Sequence, residues 1–365
     1  MRRPLTLLIK PAAGLCDLKC RYCFYRAQSA GRANEVMTQS TAMALLEKLA
    51  LLRPASLHVV FQGGEPTLAG LSFLRSFVKA LEALPCPLTL SLQTNGQTLD
   101  DDWARFLSAH GFTVGLSLDG DKTANDRYRR TPGGGSAFEK TLAAAALLQK
   151  HGVDFSILAV LDDENAAGIA DAYRFFRSRG FARLQFIPCI DEGSGISLSP
   201  ATYGQALKTL FDLWEADLLH GETVSVRAFD NWLAILLGQP PESCANGGVC
   251  GAYTVVEADG SLYPCDFYCT EAYRLGSVFD PDPFGENAVR RAFYRDSLRV
   301  RETCAACEWG FLCRGGCRRD RTDDLTQNLY CAAYRDFFSY AYQRMRRLAL
   351  RLSGGERTQP KELNR

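Results

Sequence analysis

The sequence predicts an α/β fold, a parallel sheet covered by helices, followed by a smaller cysteine-rich unit. Three observations carry this. Short apolar runs alternate with segments of helical period from residue 5 to residue 219, as repeated βα units do. Polar, glycine-rich motifs follow directly on several of the apolar runs. Gly238-Gln239-Pro240-Pro241 then breaks the pattern, and a dense cysteine system lies beyond it.

The elements follow in order. Residues 5–9, 57–61, 88–92, 113–118, 154–161 and 184–187 read as strands, each short and apolar. Residues 43–52, 73–84, 103–109, 138–150 and 169–179 carry apolar side chains at helical spacing. Ser199-Pro200 combines an N-cap residue with a first-turn proline and opens a helix to about residue 219. A short strand after 223 and an apolar helix around 232–237 complete this part. The domain boundary falls at 238, which divides the chain into 1–238, 239–336 and 337–365. In the second unit, 253–258 and 261–264 flank Asp259-Gly260 as a β-hairpin. In the third, 337–352 is an amphipathic helix with Phe337, Ala341, Met345, Leu348 and Leu352 on its apolar face. Arg344, Arg346, Arg347 and Arg351 are expected on its solvated face, Ser353-Gly354-Gly355 at its end, and a disordered polar tail over 356–365.

Composition narrows the function classes. A length of 365 residues allows two domains. A formal net charge of +1 gives no support for nucleic-acid or membrane binding. The apolar run at 5–9 is too short for a signal sequence, and no run approaches a membrane span. In such a chain the 14 cysteines read as metal ligands in a cytoplasmic protein rather than as disulfides. Oxygen-labile clusters imply an anaerobic or microaerobic setting.

Cys16, Cys20 and Cys23 sit within eight residues, and none of the four histidines (His58, His110, His151, His220) is near them. Closely spaced thiolates suit an iron–sulfur cluster or zinc, and three are one short of the usual four. Either one metal is left open to a small molecule, or this is a zinc knuckle with a distant fourth ligand. In an α/β sheet, function gathers at the C-terminal strand ends. The cysteine loop shares that rim with Gln62-Gly63-Gly64-Glu65-Pro66, Gln93-Thr94-Asn95-Gly96, Ser117-Leu118-Asp119-Gly120 and Pro188-Cys189-Ile190-Asp191. Glycine pairs after strands are often only turns. Arg127-Tyr128-Arg129-Arg130 reads from composition as a solvated basic face. Gly133-Gly134-Gly135 is a flexible connection, since no Gly-Lys-Ser/Thr follows to make a phosphate loop.

The cysteine loop, with Tyr22 before its last cysteine, resembles the signature of radical S-adenosylmethionine (SAM) enzymes. The resemblance implies a partial (β/α)6 TIM-type barrel. It also implies a 4Fe–4S cluster whose open iron is chelated by SAM, and reductive cleavage of SAM to methionine and a 5′-deoxyadenosyl radical. By the same resemblance Gly64 and Glu65 belong to the element that binds the SAM amino group. Ser117 contacts its ribose or carboxylate, Arg129 its carboxylate, and Tyr22 and Ile190 complete the site.

The second cysteine system is Cys244, Cys250, Cys265, Cys304, Cys307, Cys313, Cys317 and Cys331, enough for two four-cysteine sites. Its Cys-x2-Cys element also occurs in zinc ribbons. The arrangement resembles the SPASM domain, which holds two auxiliary 4Fe–4S clusters with interleaved ligands. Cys244, Cys250, Cys265 and Cys317 would bind the first, and Cys304, Cys307, Cys313 and Cys331 the second. Cys86, Cys189 and Cys269 are left over and read as small buried apolar residues.

Tyr263-Pro264-Cys265-Asp266-Phe267-Tyr268, with 61–68 and 313–320, resembles the anaerobic sulfatase-maturating enzymes. These oxidise a cysteine, in some members a serine, of an unfolded sulfatase segment (Cys-x-Pro-x-Arg) to Cα-formylglycine. The resemblance implies hydrogen abstraction from the substrate Cβ, Asp266 as proton acceptor, auxiliary clusters as electron acceptors, and hydrolysis of the thioaldehyde. It implies a ferredoxin or flavodoxin as reductant and a monomer. From residue type alone Asp266 would be a turn residue. The alternative is another SPASM enzyme that crosslinks or epimerises a ribosomal peptide. A leader-binding domain would favour it, and none precedes residues 1–10. A zinc or electron-transfer protein without SAM cleavage is the third reading.

Overall fold

The computed structural model describes residues 2–29, 35–190, 193–299 and 302–353. Ten strands form one sheet: β1 (Leu5–Ile9), β2 (Leu57–Phe61), β3 (Leu88–Thr94), β4 (Thr113–Ser117), β5 (Asp154–Leu161), β6 (Arg183–Pro188), β7 (Ser225–Val226), β8 (Thr254–Val256), β9 (Ser261–Tyr263) and β10 (Gly276–Ser277). Their order is β10-β9-β8-β1-β2-β3-β4-β5-β6-β7. From β1 to β7 every pairing is parallel. The order is linear, with β10 and β7 at the two ends, so this is an open, partial barrel.

The strand interiors explain the parallel arrangement. Leu7, Ile9, Val59, Phe61, Leu92, Val114 and Leu116 are fully buried, as expected of a sheet with helices on its face. The covering helices include Gln39–Leu52, Leu71–Glu82, Asp101–Ala109, Phe138–Lys150, Ile169–Ser178 and Pro200–Leu219. Several begin where a side chain caps them. The Thr38 hydroxyl accepts from the Thr41 N–H, the Asp100 carboxylate from Trp103, and Ser199 from Thr202, as the Ser-Pro pair predicts.

The hairpin does not stand apart from the barrel. β8 pairs in parallel with β1, with Leu7 opposite Thr254, Leu8 opposite Val255 and Ile9 opposite Val256. β9 and β10 extend the sheet antiparallel from there. The apolar run after 223 resolves into β7 and the helix Arg227–Leu236.

The C-terminal helix is longer than its apolar period suggests, running Cys331–Ser353. Phe337 packs against Phe211, Phe229 and Trp232 at centroid distances of 5.8, 5.7 and 5.1 Å. Two expectations on this helix are corrected. Leu352 is 63% exposed, because the helix has by then run past the surface that buries Met345 and Leu348. Arg344 is not solvated: its Nε donates to Glu215 Oε2 at 2.7 Å, its NH1 to Asp212 Oδ1 at 2.7 Å, and it stacks over Phe211. Arg346, Arg347 and Arg351 are exposed as expected. Gly354, Gly355, the tail at 356–365 and Asp191 lie outside the described residues.

Candidate active site

The cysteine loop leaves β1 and is held to two neighbouring strand ends by its backbone. The Gly64 N–H donates to Ala13 O at 3.0 Å and the Glu65 N–H to Leu15 O at 2.7 Å. The approach is so close that a Cβ on Gly64 would lie 2.1 Å from Leu15 O. Only glycine fits there, which gives this residue a reason beyond a simple turn. On the other side the Lys19 N–H donates to Arg130 O at 2.7 Å and the Arg21 N–H to Tyr128 O at 3.2 Å.

Glu65 organises the rim between these contacts. It is 1% exposed. Its Oε1 accepts from the Thr67 N–H, the Thr67 hydroxyl and the Thr94 hydroxyl, and its Oε2 from the Asn95 N–H at 2.7 Å. Burial still pushes its carboxyl above the ordinary value, against these bonds. A carboxylate has about four acceptor positions, so Oε1 is saturated while Oε2 keeps capacity for another donor. Asn95 then reaches back, its Nδ2 donating to Asp17 Oδ1 at 2.7 Å and lying 3.7 Å from Cys16 Sγ.

The basic segment at 127–130 is not a solvated face. Arg129 is 7% exposed, and its NH1 donates to the Tyr22 hydroxyl at 3.1 Å. Tyr22 in turn donates to Asp119 Oδ2 at 2.5 Å, and Asp119 Oδ1 accepts from the Val160 N–H at 3.0 Å. Burial works against the charge of Arg129, but Tyr22, Cys20 and Asp119 more than offset it and push the guanidinium above its ordinary value. The seven-residue helix Lys122–Tyr128, capped by Asp121, carries this arginine inward. Tyr22 also packs with Tyr128, Cys189 and Ile196 beneath the end of β6. Ser117 and Ile190 sit half-buried at the ends of β4 and β6.

The eight later cysteines lie in two groups. Cys244, Cys250, Cys265 and Cys317 all line one cavity, together with Tyr253, Phe293 and Arg318. Burial raises all four thiols, and Cys317 is raised further by Asp320 and by Cys244 and Cys250. Cys313 is pushed up to about 11, by burial first and then by its neighbours Cys331, Cys304 and Cys307. In the loop, Cys16 is pushed up to about 12 by burial, Glu65, Cys20 and Asp17 adding to it. Bound metal would reverse these shifts, because a coordinating thiol is deprotonated. Among the described residues no three His, Cys, Asp or Glu side chains converge on a single-ion position. A cubane cluster asks for something else, thiolates ranged around a cavity, and the cavity walled by four cysteines fits it.

Asp266 follows Cys265 and is bonded to the glycine-rich motif after β2. It is 6% exposed. Gln62, the first residue of the glycine-rich motif after β2, donates from Nε2 to Asp266 Oδ2 at 2.8 Å. The Tyr253 hydroxyl donates to Asp266 Oδ1 at 2.7 Å and lies 3.3 Å from Cys265 Sγ. Gln62, Tyr253, Asn95 and Asp119 were not singled out from the sequence. The strand-end motifs that contain Gln62, Asn95 and Asp119 were the available signal, and Tyr253 had none. Cys269, one of the leftover cysteines, is buried in an apolar cluster with Leu8, Val255 and Tyr263, and Lys10 Nζ also lies 3.4 Å from its sulfur.

Residues 12–176 match the radical SAM superfamily. The chain is 40% identical to a cysteine-type anaerobic sulfatase-maturating enzyme of Clostridium perfringens (strain 13 / Type A), over 94% of this chain and 97% of that protein. A serine-type anaerobic sulfatase-maturating enzyme of Klebsiella aerogenes is 32% identical, over 96% of this chain and 88% of that protein. The solved structure of native anSMEcpe with bound AdoMet and Cp18Cys peptide superposes with a TM-score of 0.90 at 39% identity, covering 96% of this chain and 99% of that one. The strand-end cradle, the two four-cysteine groups and this likeness over nearly the whole length agree: the chain belongs to the anaerobic sulfatase-maturating enzymes of the radical SAM superfamily.

Proposed function

We propose that this protein oxidises a cysteine in an unfolded sulfatase segment of the Cys-x-Pro-x-Arg type to Cα-formylglycine. The observation that carries the reading is Asp266, a buried carboxylate held by Gln62 from the SAM-binding rim and by Tyr253 beside the cluster ligand Cys265. The chain uses SAM and three 4Fe–4S clusters, one on Cys16, Cys20 and Cys23, one on Cys244, Cys250, Cys265 and Cys317, and one on Cys304, Cys307, Cys313 and Cys331. When bound, SAM and the first cluster would supply the radical chemistry for hydrogen abstraction from the substrate Cβ, and the auxiliary clusters would supply an electron acceptor.

The protein's own residues do the rest. Gly64 lets the rim backbone approach the cysteine loop, and Glu65, with capacity left on Oε2, would hold the SAM amino group. Arg129, with Tyr22 occupying one of its five N–H donors, would engage the SAM carboxylate, Ser117 its ribose or carboxylate, and Tyr22 and Ile190 would complete the site. Asp266 receives the proton from the substrate thiol. Its two hydrogen bonds hold both oxygens in place, and each keeps acceptor capacity for the proton. With thiol proton and second electron gone, water hydrolyses the thioaldehyde and releases sulfide. Residues 1–238 would generate the radical and 239–336 hold the auxiliary clusters, the last proposed ligand, Cys331, opening the C-terminal helix Cys331–Ser353. Among the described residues no helix is long and apolar enough to cross a membrane. We assign the enzyme to the cytoplasm as a monomer reduced by a ferredoxin or flavodoxin.

The test is anaerobic incubation with SAM, dithionite and a Cys-x-Pro-x-Arg peptide, read by mass spectrometry. The expected product shows the mass loss of thiol-to-aldehyde conversion. Asp266→Asn should keep cleaving SAM while peptide oxidation falls roughly 10²–10⁴-fold, the range for a lost general base. An unmodified peptide beside vigorous SAM turnover by the wild type would count against a sulfatase substrate. Full formylglycine formation by Asp266→Asn would remove that residue from the mechanism.

A further inference from the structure

We propose that Arg318 raises the reduction potential of the auxiliary centre on Cys244, Cys250, Cys265 and Cys317, making it the better electron acceptor. This rests on the reading that those four thiols hold an iron–sulfur cluster. Arg318 follows the ligand Cys317 directly and lines the same cavity as all four cysteines. It is 4% exposed. Its guanidinium is boxed by aromatic rings, 4.2 Å from the Phe293 centroid, 5.1 Å from Tyr268 and 5.4 Å from Tyr273. NH1 donates to Phe293 O at 3.2 Å and NH2 to the Tyr273 hydroxyl at 3.2 Å. Nε is buried with no hydrogen-bond partner among the described residues.

A buried charge is ordinarily neutralised by a close partner. Here the carboxylate of Asp296 stands 3.8 Å from NH2 and is shared with Arg299 at 3.3 Å. The positive charge is therefore incompletely offset by protein, and it faces a cavity walled by thiols. An arginine keeps its charge at any working pH, so its field is constant through the reaction. In the oxidation step one electron leaves the substrate carbon radical, one proton goes from the thiol to Asp266, and the acceptor centre gains one negative charge. A fixed buried cation beside that centre favours the reduced form. The aromatic box keeps the guanidinium from being solvated away from the centre.

The experiment is an EPR-monitored redox titration of anaerobically reconstituted full-length protein, with Cys16, Cys20 and Cys23 changed to Ala so that only auxiliary signals remain. Arg318→Gln should make one of the two auxiliary centres at least tenfold harder to reduce, equivalent to about 59 mV for a one-electron couple. Arg318→Lys, which keeps the charge, should restore most of the difference. Asp296→Asn removes the partial counter-charge and should shift the same centre the opposite way. An unmoved potential in a cluster-replete Arg318→Gln, or equal shifts in the Lys and Gln variants, overturns the inference. If Arg318→Gln fails to hold its cluster, Asp296→Asn decides alone, and an unchanged or lowered potential overturns it. Failure of the underlying reading looks different: the parent protein would carry iron and sulfide for fewer than two auxiliary clusters.

Discussion

Removing the ammonium of Lys10 should cost the fold more than any surface charge. Lys10 closes β1 and is 0% exposed, and its Nζ lies 3.3 Å from Oε1 of Glu257, which is 1% exposed. The same ammonium sits 3.7 Å over the Tyr25 ring and 3.4 Å from Cys269 Sγ, while Tyr25 donates to Glu257 Oε2 at 2.7 Å. At a separation of 3.3 Å and an effective dielectric near 20, the pair attracts by about 5 kcal/mol. That attraction is largely spent on desolvation, so the pair adds little net stability compared with an apolar replacement. Deleting one partner is another matter, because the other charge stays buried without it. Lys10→Met should lower the unfolding free energy by about 3–5 kcal/mol, and Glu257→Gln by a similar amount. Lys10→Met/Glu257→Gln leaves no buried charge and still gives Tyr25 an acceptor, so it should lose far less than the sum. A coupling of about 2 kcal/mol or more is expected in the double-mutant cycle. The assay is anaerobic urea denaturation of cluster-loaded protein, with iron content checked for each variant. Additive penalties, or a Lys10→Met cost below about 1 kcal/mol, would refute the premise that this pair sits in a low-dielectric interior.

Three further outcomes are expected. Changing Cys16, Cys20 and Cys23 together to Ala should reduce three clusters to two by iron and sulfide analysis and abolish SAM cleavage; zinc in place of iron in both proteins would exclude cluster chemistry. Gly64→Ala, whose methyl would meet Leu15 O at 2.1 Å, should displace the cysteine loop and cut SAM cleavage while the auxiliary clusters persist, so a variant with normal cleavage would contradict the close approach. Asp230 is pushed up to about 6 by burial, against a hydrogen bond from Ser225; the native carboxyl therefore holds a proton that the unfolded chain has already released, and stability falls as pH rises from about 4 through 6. Between pH 5 and 8 the wild type should lose about 1.4 kcal/mol relative to Asp230→Asn, checked by denaturation at both pH values, and a pH-independent difference would be inconsistent with the buried protonated carboxyl.

The barrel was legible because its information is local. Each βα unit shows its period within a dozen residues, and its C-terminal motif marks the functional rim. The three-cysteine loop and the glycine pair after β2 are likewise written in contiguous residues. The cradle's second layer is not. Arg129 reads as part of a solvated Arg-Tyr-Arg-Arg run until the short helix Lys122–Tyr128 turns it toward Tyr22 and Asp119. That helix is polar and only seven residues long, so it has no apolar stripe to betray it. Arg344 was misplaced for a related reason: its partners Asp212 and Glu215 lie on another helix, and helical period says which side a residue is on but not what lies opposite. Lys10 and Glu257 belong to different units and meet only because β8 joins the sheet beside β1.

That strand pairing has a consequence for the chemistry. A radical formed at the rim must lose its second electron and a proton before it reacts elsewhere, so the acceptors have to stand at a fixed distance from the place of abstraction. A flexible linker between two domains would not provide this. Here β1, which leads into the cysteine loop, is in register with β8, and β8 pairs with β9, which leads into Cys265 and Asp266. The Lys10–Glu257 pair closes the ends of the same two strands, and Cys269 connects the lysine to the carbonyl of Cys265 at 3.5 Å. Gln62 from the next strand then completes the hold on Asp266. Cys265 and Asp266, the proposed cluster ligand and proton acceptor, are consecutive residues joined through one hydrogen-bonded sheet to the strand that leads into the cysteine loop. Perturbing that ladder should therefore uncouple SAM cleavage from peptide oxidation even when every cluster is present.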